Sequence, residues 1–135
     1  MLVLLDTDIC IHLINRRPGF ERVLRRLSGR SLGEICISAI TISELRYGVA
    51  KSTKSSENTA ALEEFLSRFE LLDYPVDAAE TYGRVRTQLE GTGKVIGNND
   101  LLIAAHAMTI GARVATANKS EFERVPGLKA LDWLS

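Results

Sequence analysis

LVLLDTDIC, residues 2–10, runs four apolar residues directly into two acids separated by one threonine. A continuous apolar run of this kind marks a strand covered on both faces, as in a parallel sheet with helices above and below. Beyond it, Ile9, Leu13 and the neighbouring Ile14 recur at helical spacing until Pro18-Gly19 breaks the pattern. The stretch predicts a buried strand, a turn carrying Asp6 and Asp8, and a helix. In sheets of this type ligands bind beyond the carboxyl ends of the strands, where these acids stand.

The same alternation continues outward. A second helix carries Phe20, Val23, Leu24 and Leu27, with Arg22, Arg25 and Arg26 on its polar side. Gly29 and Gly33 bracket a loop, Ile35 to Ile37 reads as a short strand, and a helix follows from Thr41 with Ile42, Leu45, Tyr47 and Val49. The Ser, Thr and Lys content of Lys51 to Thr59 predicts a loop, before a helix holding Leu62, Phe65, Leu66 and Phe69. Leu71-Leu72 is a short strand ending near Pro75, and Asp77 to Leu89 a helix stopped by Gly91 and Gly93. Asn98 to Ile110 is apolar almost all round, hence a buried helix. Arg113 to Thr116 is a strand, Ser120 to Arg124 a turn of helix, and Leu128 to Leu131 a last strand. Strands alternating with helices predict an α/β fold, a three-layer α/β/α sandwich with a mainly parallel central sheet, formed by residues 1–135 as one domain.

Composition narrows the function. With 45% hydrophobic and 25% charged residues the chain has an ordinary globular mix, and its 17 acids balance 17 bases. Nucleic acid is therefore not bound through bulk charge, only through a local patch or a metal. Cys10 and Cys36 lie in apolar runs without a CxxC partner, which predicts reduced, buried thiols of a cytoplasmic protein. Asp6 interrupts the first apolar run too early for a signal peptide, and no stretch reaches the ~20 uninterrupted apolar residues that span a membrane.

Each acid at a strand end has a local explanation. One of Asp6, Thr7 and Asp8 can cap the following helix, but only one, which leaves at least one acid over; the expectation is that Asp8 caps or supports and Asp6 does chemistry. Thr41-x-x-Glu44 and Asn118-x-x-Glu121 both match a capping box. Asp100, in the first turn of the buried helix, gains from the helix dipole yet must still find a partner or a cation. Taken together, acids recur where a parallel sheet gathers its carboxyl ends on one edge. Carboxylates crowded there raise one another's pKa values unless a cation neutralises them, and hard ions such as Mg²⁺ or Mn²⁺ take oxygen ligands of this kind.

Four stretches, LLDTDI (4–9), ISAITISELRYG (37–48), IGNNDLLIAAHA (96–107) and TANKSEFERVPGL (116–128), resemble the PIN domain, and more closely the VapC-type ribonuclease toxins of VapBC toxin–antitoxin pairs. They stand in that family's order and reach across nearly the whole chain. The resemblance implies a metal-dependent endoribonuclease, the toxin of a type II pair, in which Mg²⁺ or Mn²⁺ bound by Asp6, Glu44 and Asp100 activates water to cleave RNA to 5′-phosphate and 3′-hydroxyl ends. Asn118 falls where a fourth Asp, or often Asn, stands, and an amide there removes a charge from any second metal. Thr7 and Thr116 are implied as hydroxyls that orient the acids. The resemblance further implies a homodimer, a VapB-like antitoxin whose C-terminal segment occupies the groove, and tRNA as a common substrate.

Two rival readings remain open on the residues alone. Asp6-Thr7-Asp8 after an apolar strand also suits a haloacid dehalogenase-like phosphatase, with Asp6 attacking phosphorus and Asp8 protonating the leaving group. That pattern lacks its expected Thr or Val at Cys10 and leaves Glu44 without work. A non-catalytic α/β interaction domain is the other, its acids serving only as caps. Arg16, Arg17, Arg22, Arg25, Arg26 and Arg30 form the basic stretch, either a solvated face or a contact for RNA or a partner. Arg46 and Arg86 are candidates for steering phosphate. His12 and His106 are expected to be packed or surface residues; His106 lies about 600° around its helix from Asp100, off that face.

Overall fold

The opening apolar run becomes β1 (Val3–Leu5), the central strand of a five-stranded sheet ordered β3-β2-β1-β4-β5, in a computed structural model that describes residues 1–135. The other strands are β2 (Ile35–Ser38), β3 (Glu70–Leu72), β4 (Arg113–Thr116) and β5 (Ala130–Asp132), and every neighbouring pair is parallel. Seven helices flank it: α1 (Thr7–Asn15), α2 (Phe20–Ser28), α3 (Ala39–Ala50), α4 (Ser55–Leu66), α5 (Ala78–Thr92), α6 (Asn98–Ile110) and α7 (Lys119–Phe122).

The period-2 geometry of a strand explains why the first run is apolar throughout. Val3 and Leu5 face one way and pack with Ile9, Cys10, Val23, Leu45, Leu62 and Trp133 from the α1–α4 side. Leu4 faces the other way and packs with Val85, Leu89, Ile103, Ala107 and Phe122 from the α5–α7 side. All three are 0% exposed. Register carries the pattern sideways: Leu4 sits beside Cys36 and Val114, and Leu5 beside Ala115. The result is the α/β/α sandwich, with a core on each face.

From β1 the chain steps outward to β2 and β3, then crosses back to place β4 on the other side of β1. The carboxyl ends of β1 and β4 thus flank the point where strand order reverses, which in open parallel sheets is where a crevice opens.

Several local expectations are corrected. The predicted loop at 51–59 is only a turn, because α4 begins at Ser55. Its polar first turn satisfies itself, Thr59 Oγ1 donating to Ser55 O at 2.6 Å, while Leu62 and Leu66 anchor the helix in the core. Phe69 lies beyond α4, its ring tilted against that of Phe65 at 5.0 Å between centroids. α5 continues through Gly91 to Thr92, and Gly93, at φ 71, takes the left-handed cap position that glycine occupies without steric cost. The last strand starts at Ala130 rather than Leu128, after the left-handed Gly127. Cys10 and Cys36 are free and buried, and burial pushes both thiols up, as expected of inert side chains. No helix is long and apolar enough to cross a membrane.

Candidate active site

Asp6 leaves β1 with an extended backbone (φ −77°, ψ 172°), the geometry of an N-cap, and its Oδ1 accepts from Ile9 N at 2.8 Å. The cap of α1 is therefore Asp6, not Asp8, which lies exposed in the helix's first turn. The reason is positional: only the residue straight after the strand has the extended conformation a cap needs. The second Asp6 oxygen, Oδ2, accepts from Thr116 Oγ1 at 2.5 Å, and Thr116 Oγ1 in turn accepts from Asn118 N at 2.8 Å. Asp6 is 3% exposed, and burial pushes its carboxyl up to about 7 against the opposing pull of Thr116 and Ile9; Asp8 and Glu44 add to the rise.

Thr116→Val is expected to remove the one side-chain donor that favours the Asp6 carboxylate. It also strands the Asn118 amide, for a loss of about 1–3 kcal/mol in stability. Thermal melts and the Asp6 carboxyl titration by ¹³C NMR check both effects, the titration moving further up.

Glu44 does not cap its helix. α3 starts at Ala39 under Ser38, whose Oγ accepts from Ile40 N at 3.1 Å, and Thr41 is buried inside the first turn. With the cap supplied by Ser38, Glu44 is free to reach across to α1, where Thr7 Oγ1 donates to its Oε1 at 2.5 Å. Thr41 Oγ1 stands 3.3 Å from the same Thr7 hydroxyl.

Asp100 occupies the first turn of α6, whose cap residue, Gly97, has no side chain to offer. Its neighbour is Glu121. That carboxylate accepts from Gly97 N at 2.9 Å through Oε1 and from Asn118 Nδ2 at 2.7 Å through Oε2. A methyl at Gly97 would meet Glu121 Oε1 at 3.6 Å and Asp100 Oδ2 at 3.7 Å. Burial, then Glu121 by both charge and hydrogen bonding, then Asp6 and Glu44, push Asp100 up to about 7. The second expected capping box is thus replaced: Asn118 makes no side-chain cap bond, and its amide steadies Glu121. Glu121, outside the cleft lining but next to Asp100, is the acid the sequence reading passed over. Its signal was present, an acid one turn after the polar end of β4, but the capping explanation absorbed it.

Asp6, Glu44 and Asp100 line one cleft of about 940 Å³, together with Thr7, Asp8 and Asn99; Asn118 does not line it and is linked to its acids through Thr116, which holds Asp6, and through Glu121, beside Asp100. Residues of α1, α3 and α4 line the same cleft, Ile11, Tyr47 and Leu62 among them, as do Arg17 and Lys51. As the side chains stand, no three carboxylates converge as a ready-made metal site. Asp6 rests on Thr116 and Ile9, Glu44 on Thr7, and Asp100 on Glu121.

Glu121→Gln is expected to relieve Asp100 of its nearest like charge, so that the Asp100 carboxyl in the metal-free protein titrates below 7, with burial still holding it above the ordinary 3.8. A ¹³C NMR pH titration reads this directly.

Other expectations resolve outside the cleft. His106 is buried on α6, hydrogen-bonded through Nδ1 to Ser38 Oγ at 2.9 Å and edge-on to Tyr74; burial holds its pKa below the usual value. It joins α6 to the cap of α3, behind the acids. His12 Nδ1 bonds the Asp8 carbonyl. Arg46 pairs with Glu63 at 2.7 Å, and Arg86 with Glu90 and Tyr82, whose hydroxyl donates to Asn98 at 2.5 Å. Neither arginine lines the cleft. Of the basic stretch, Arg22 donates to Leu134 O and Arg30 lies over Trp133, both tying down the C-terminal segment, while Arg17 alone reaches the cleft.

The architecture and the acid-lined crevice agree with a PIN domain profile that matches residues 3–128. Ribonuclease VapC2 of Rickettsia felis is 43% identical over 134 residues, covering 98% of each chain, and the tRNA(fMet)-specific endonuclease VapC of Shigella flexneri is 42% identical over 130 residues, covering 96% of each. The crystal structure of DNA-bound VapBC from Salmonella typhimurium superposes with a TM-score of 0.91 at 42% identity, over 98% of this chain and 99% of that one. The chain belongs to the PIN domain family and, within it, to the VapC ribonucleases. The phosphatase reading of Asp6 and Asp8 falls with that membership.

Proposed function

We propose that this chain is a Mg²⁺- or Mn²⁺-dependent endoribonuclease that hydrolyses tRNA and serves as the toxin of a VapBC-type pair in the cytoplasm. The observation that carries the reading is that Asp6, Glu44 and Asp100, from three distant segments, line one cleft at the switch point of the sheet. The donor set suits a hard cation: carboxylate oxygens, two of them on groups that burial and like charge hold protonated up to about 7. Asp6, Glu44 and Asp100 would hold the ion, with Glu121 as a further carboxylate behind Asp100.

When bound, the cation supplies a lowered water pKa and neutralises charge at the phosphate. The chain's own residues prepare this. Thr116 holds the Asp6 carboxylate and Thr7 that of Glu44, which fixes the direction of each charge. Asn118 and the Gly97 amide hold Glu121 against Asp100. Hydrolysis by water leaves a 5′-phosphate and a 3′-hydroxyl, with no covalent intermediate.

The partner reading is supported by relatives crystallised as VapBC complexes, one from Rickettsia felis bound to a promoter DNA fragment. By this reading the chain forms a homodimer and a hetero-oligomer with a VapB-like antitoxin. The test is to incubate the purified chain with total tRNA, with Mg²⁺ or Mn²⁺ and with chelator, and to map the new ends. Discrete 5′-phosphate ends that vanish with chelator are expected. Intact RNA in every condition would support the non-catalytic domain instead.

A further inference from the structure

Tyr47 is an aromatic residue that packing does not explain. It is 66% exposed, on a helix whose buried residues are Thr41 and Leu45, and it lines the same cleft as Asp6, Glu44 and Asp100. It follows Glu44 by three residues, so the two side chains project from neighbouring positions on α3, about 5 Å apart along the helix axis. Lys51, one turn further on, carries its ammonium 4.8 Å from the centre of the Tyr47 ring. Arg17, from the end of α1, is the other cation on the lining. The cleft that holds the acids thus also presents an aromatic ring with one ammonium beside it and a second cation on its lining.

That arrangement answers a problem the composition sets. The chain has no net charge, and its reactive end is lined by carboxylates that repel phosphate. Beyond what a bound cation supplies, affinity for a nucleic-acid strand can come from the other groups on the lining: the Tyr47 ring for stacking on a base, and the Lys51 ammonium and Arg17 guanidinium for phosphates. We propose that Tyr47 stacks on the nucleobase adjacent to the scissile phosphate, with Lys51 and Arg17 holding the neighbouring phosphates of a single-stranded RNA segment. The proposal rests on the ribonuclease reading of the acids and adds how the substrate strand is gripped. Because every base has a π-face, Tyr47 fixes the position of a flipped-out nucleotide, while its identity is read elsewhere.

The test uses the full chain with Mn²⁺ and an RNA oligonucleotide spanning a mapped cleavage site. It is compared with the same oligonucleotide made abasic at the nucleotide on one or the other side of the cut. Tyr47→Ala is expected to raise KM about tenfold or more on the intact RNA with kcat little changed, and Tyr47→Phe and Tyr47→Trp to restore it. For the wild type, one abasic substitution raises KM by a similar factor; for Tyr47→Ala the same substitution adds nothing further. That non-additivity identifies the ring and the base as partners, which a structural role for Tyr47 would not produce. Additive effects, or an unchanged KM for Tyr47→Ala, overturn the platform while leaving the ribonuclease reading standing; Tyr47→Ala that loses only its inhibition by an antitoxin peptide assigns the ring to protein instead. A wild type that cuts no RNA overturns both.

Discussion

Asp6→Asn is expected to lower RNA cleavage by about a thousandfold or more, since a divalent ion's stabilisation of transition-state charge is worth several kcal/mol. The fold should survive, because asparagine caps a helix as well as aspartate does and can still accept from Ile9 N. Asp6→Ala separates the two duties of this residue. It loses the same activity, and it also leaves the Ile9 amide and the Thr116 hydroxyl without their acceptor, at a further cost of about 1–3 kcal/mol. Gel assays of tRNA cleavage and thermal melts of both variants read the two effects apart. An Asp6→Asn variant that melts normally and cuts normally would remove Asp6 from the chemistry.

The second large effect is a stability profile that runs opposite to that of most proteins. Asp6 and Asp100 stand at about 7 in the metal-free protein, against 3.8 for the ordinary side chain. A carboxyl whose folded pKa is raised binds more protons folded than unfolded between those two values. Stability therefore falls as pH climbs from about 4 to about 7, and the loss is complete above it. For the buried Asp6 alone the penalty is on the order of a few kcal/mol. His106, held low by burial, acts in the opposite sense below about 6.5 and offsets part of the fall, one group against two acids, while Asp132, held low by Ser135, opposes it only as the pH drops below the ordinary carboxyl value. In chelator, melting temperature should be higher at pH 5 than at pH 8. Added Mn²⁺ should raise it at pH 8, where the carboxylates are ionised, and much less at pH 5, where protons compete. A metal-free protein that gains stability across this range would contradict the burial of uncompensated acids.

The order and type of the elements were legible because apolar periodicity records burial. Leu2 to Leu5, Asn98 to Ile110 and Arg113 to Thr116 read correctly since each is packed on several sides. Sequence failed where polar residues serve a helix rather than end it. Ser55 to Thr59 looks like a loop because its hydroxyls bond the helix's own carbonyls, and only Leu62 and Leu66 reveal the packing that holds it. Both capping boxes failed for a related reason. A capping box is a local pattern, and it cannot show that Ser38 caps α3 already, or that Glu121 turns toward Gly97 and Asn118. The strand-end rule brought Asp6, Glu44, Asp100 and Asn118 into consideration together. It could not tell that Asn118 acts at one remove, its backbone amide through Thr116 and its side chain through Glu121, because the second link depends on a contact between α7 and the start of α6.

Calorimetric titration of Mn²⁺ into the purified chain at pH 7.5, beside Asp6→Asn, Glu44→Gln and Asp100→Asn, tests most directly whether these side chains share an ion. The arrangement in the cleft requires saturable binding to the wild type and a marked loss of affinity in each of the three variants. Wild-type affinity retained in all of them would mean that the acids meet in the fold without meeting at a metal.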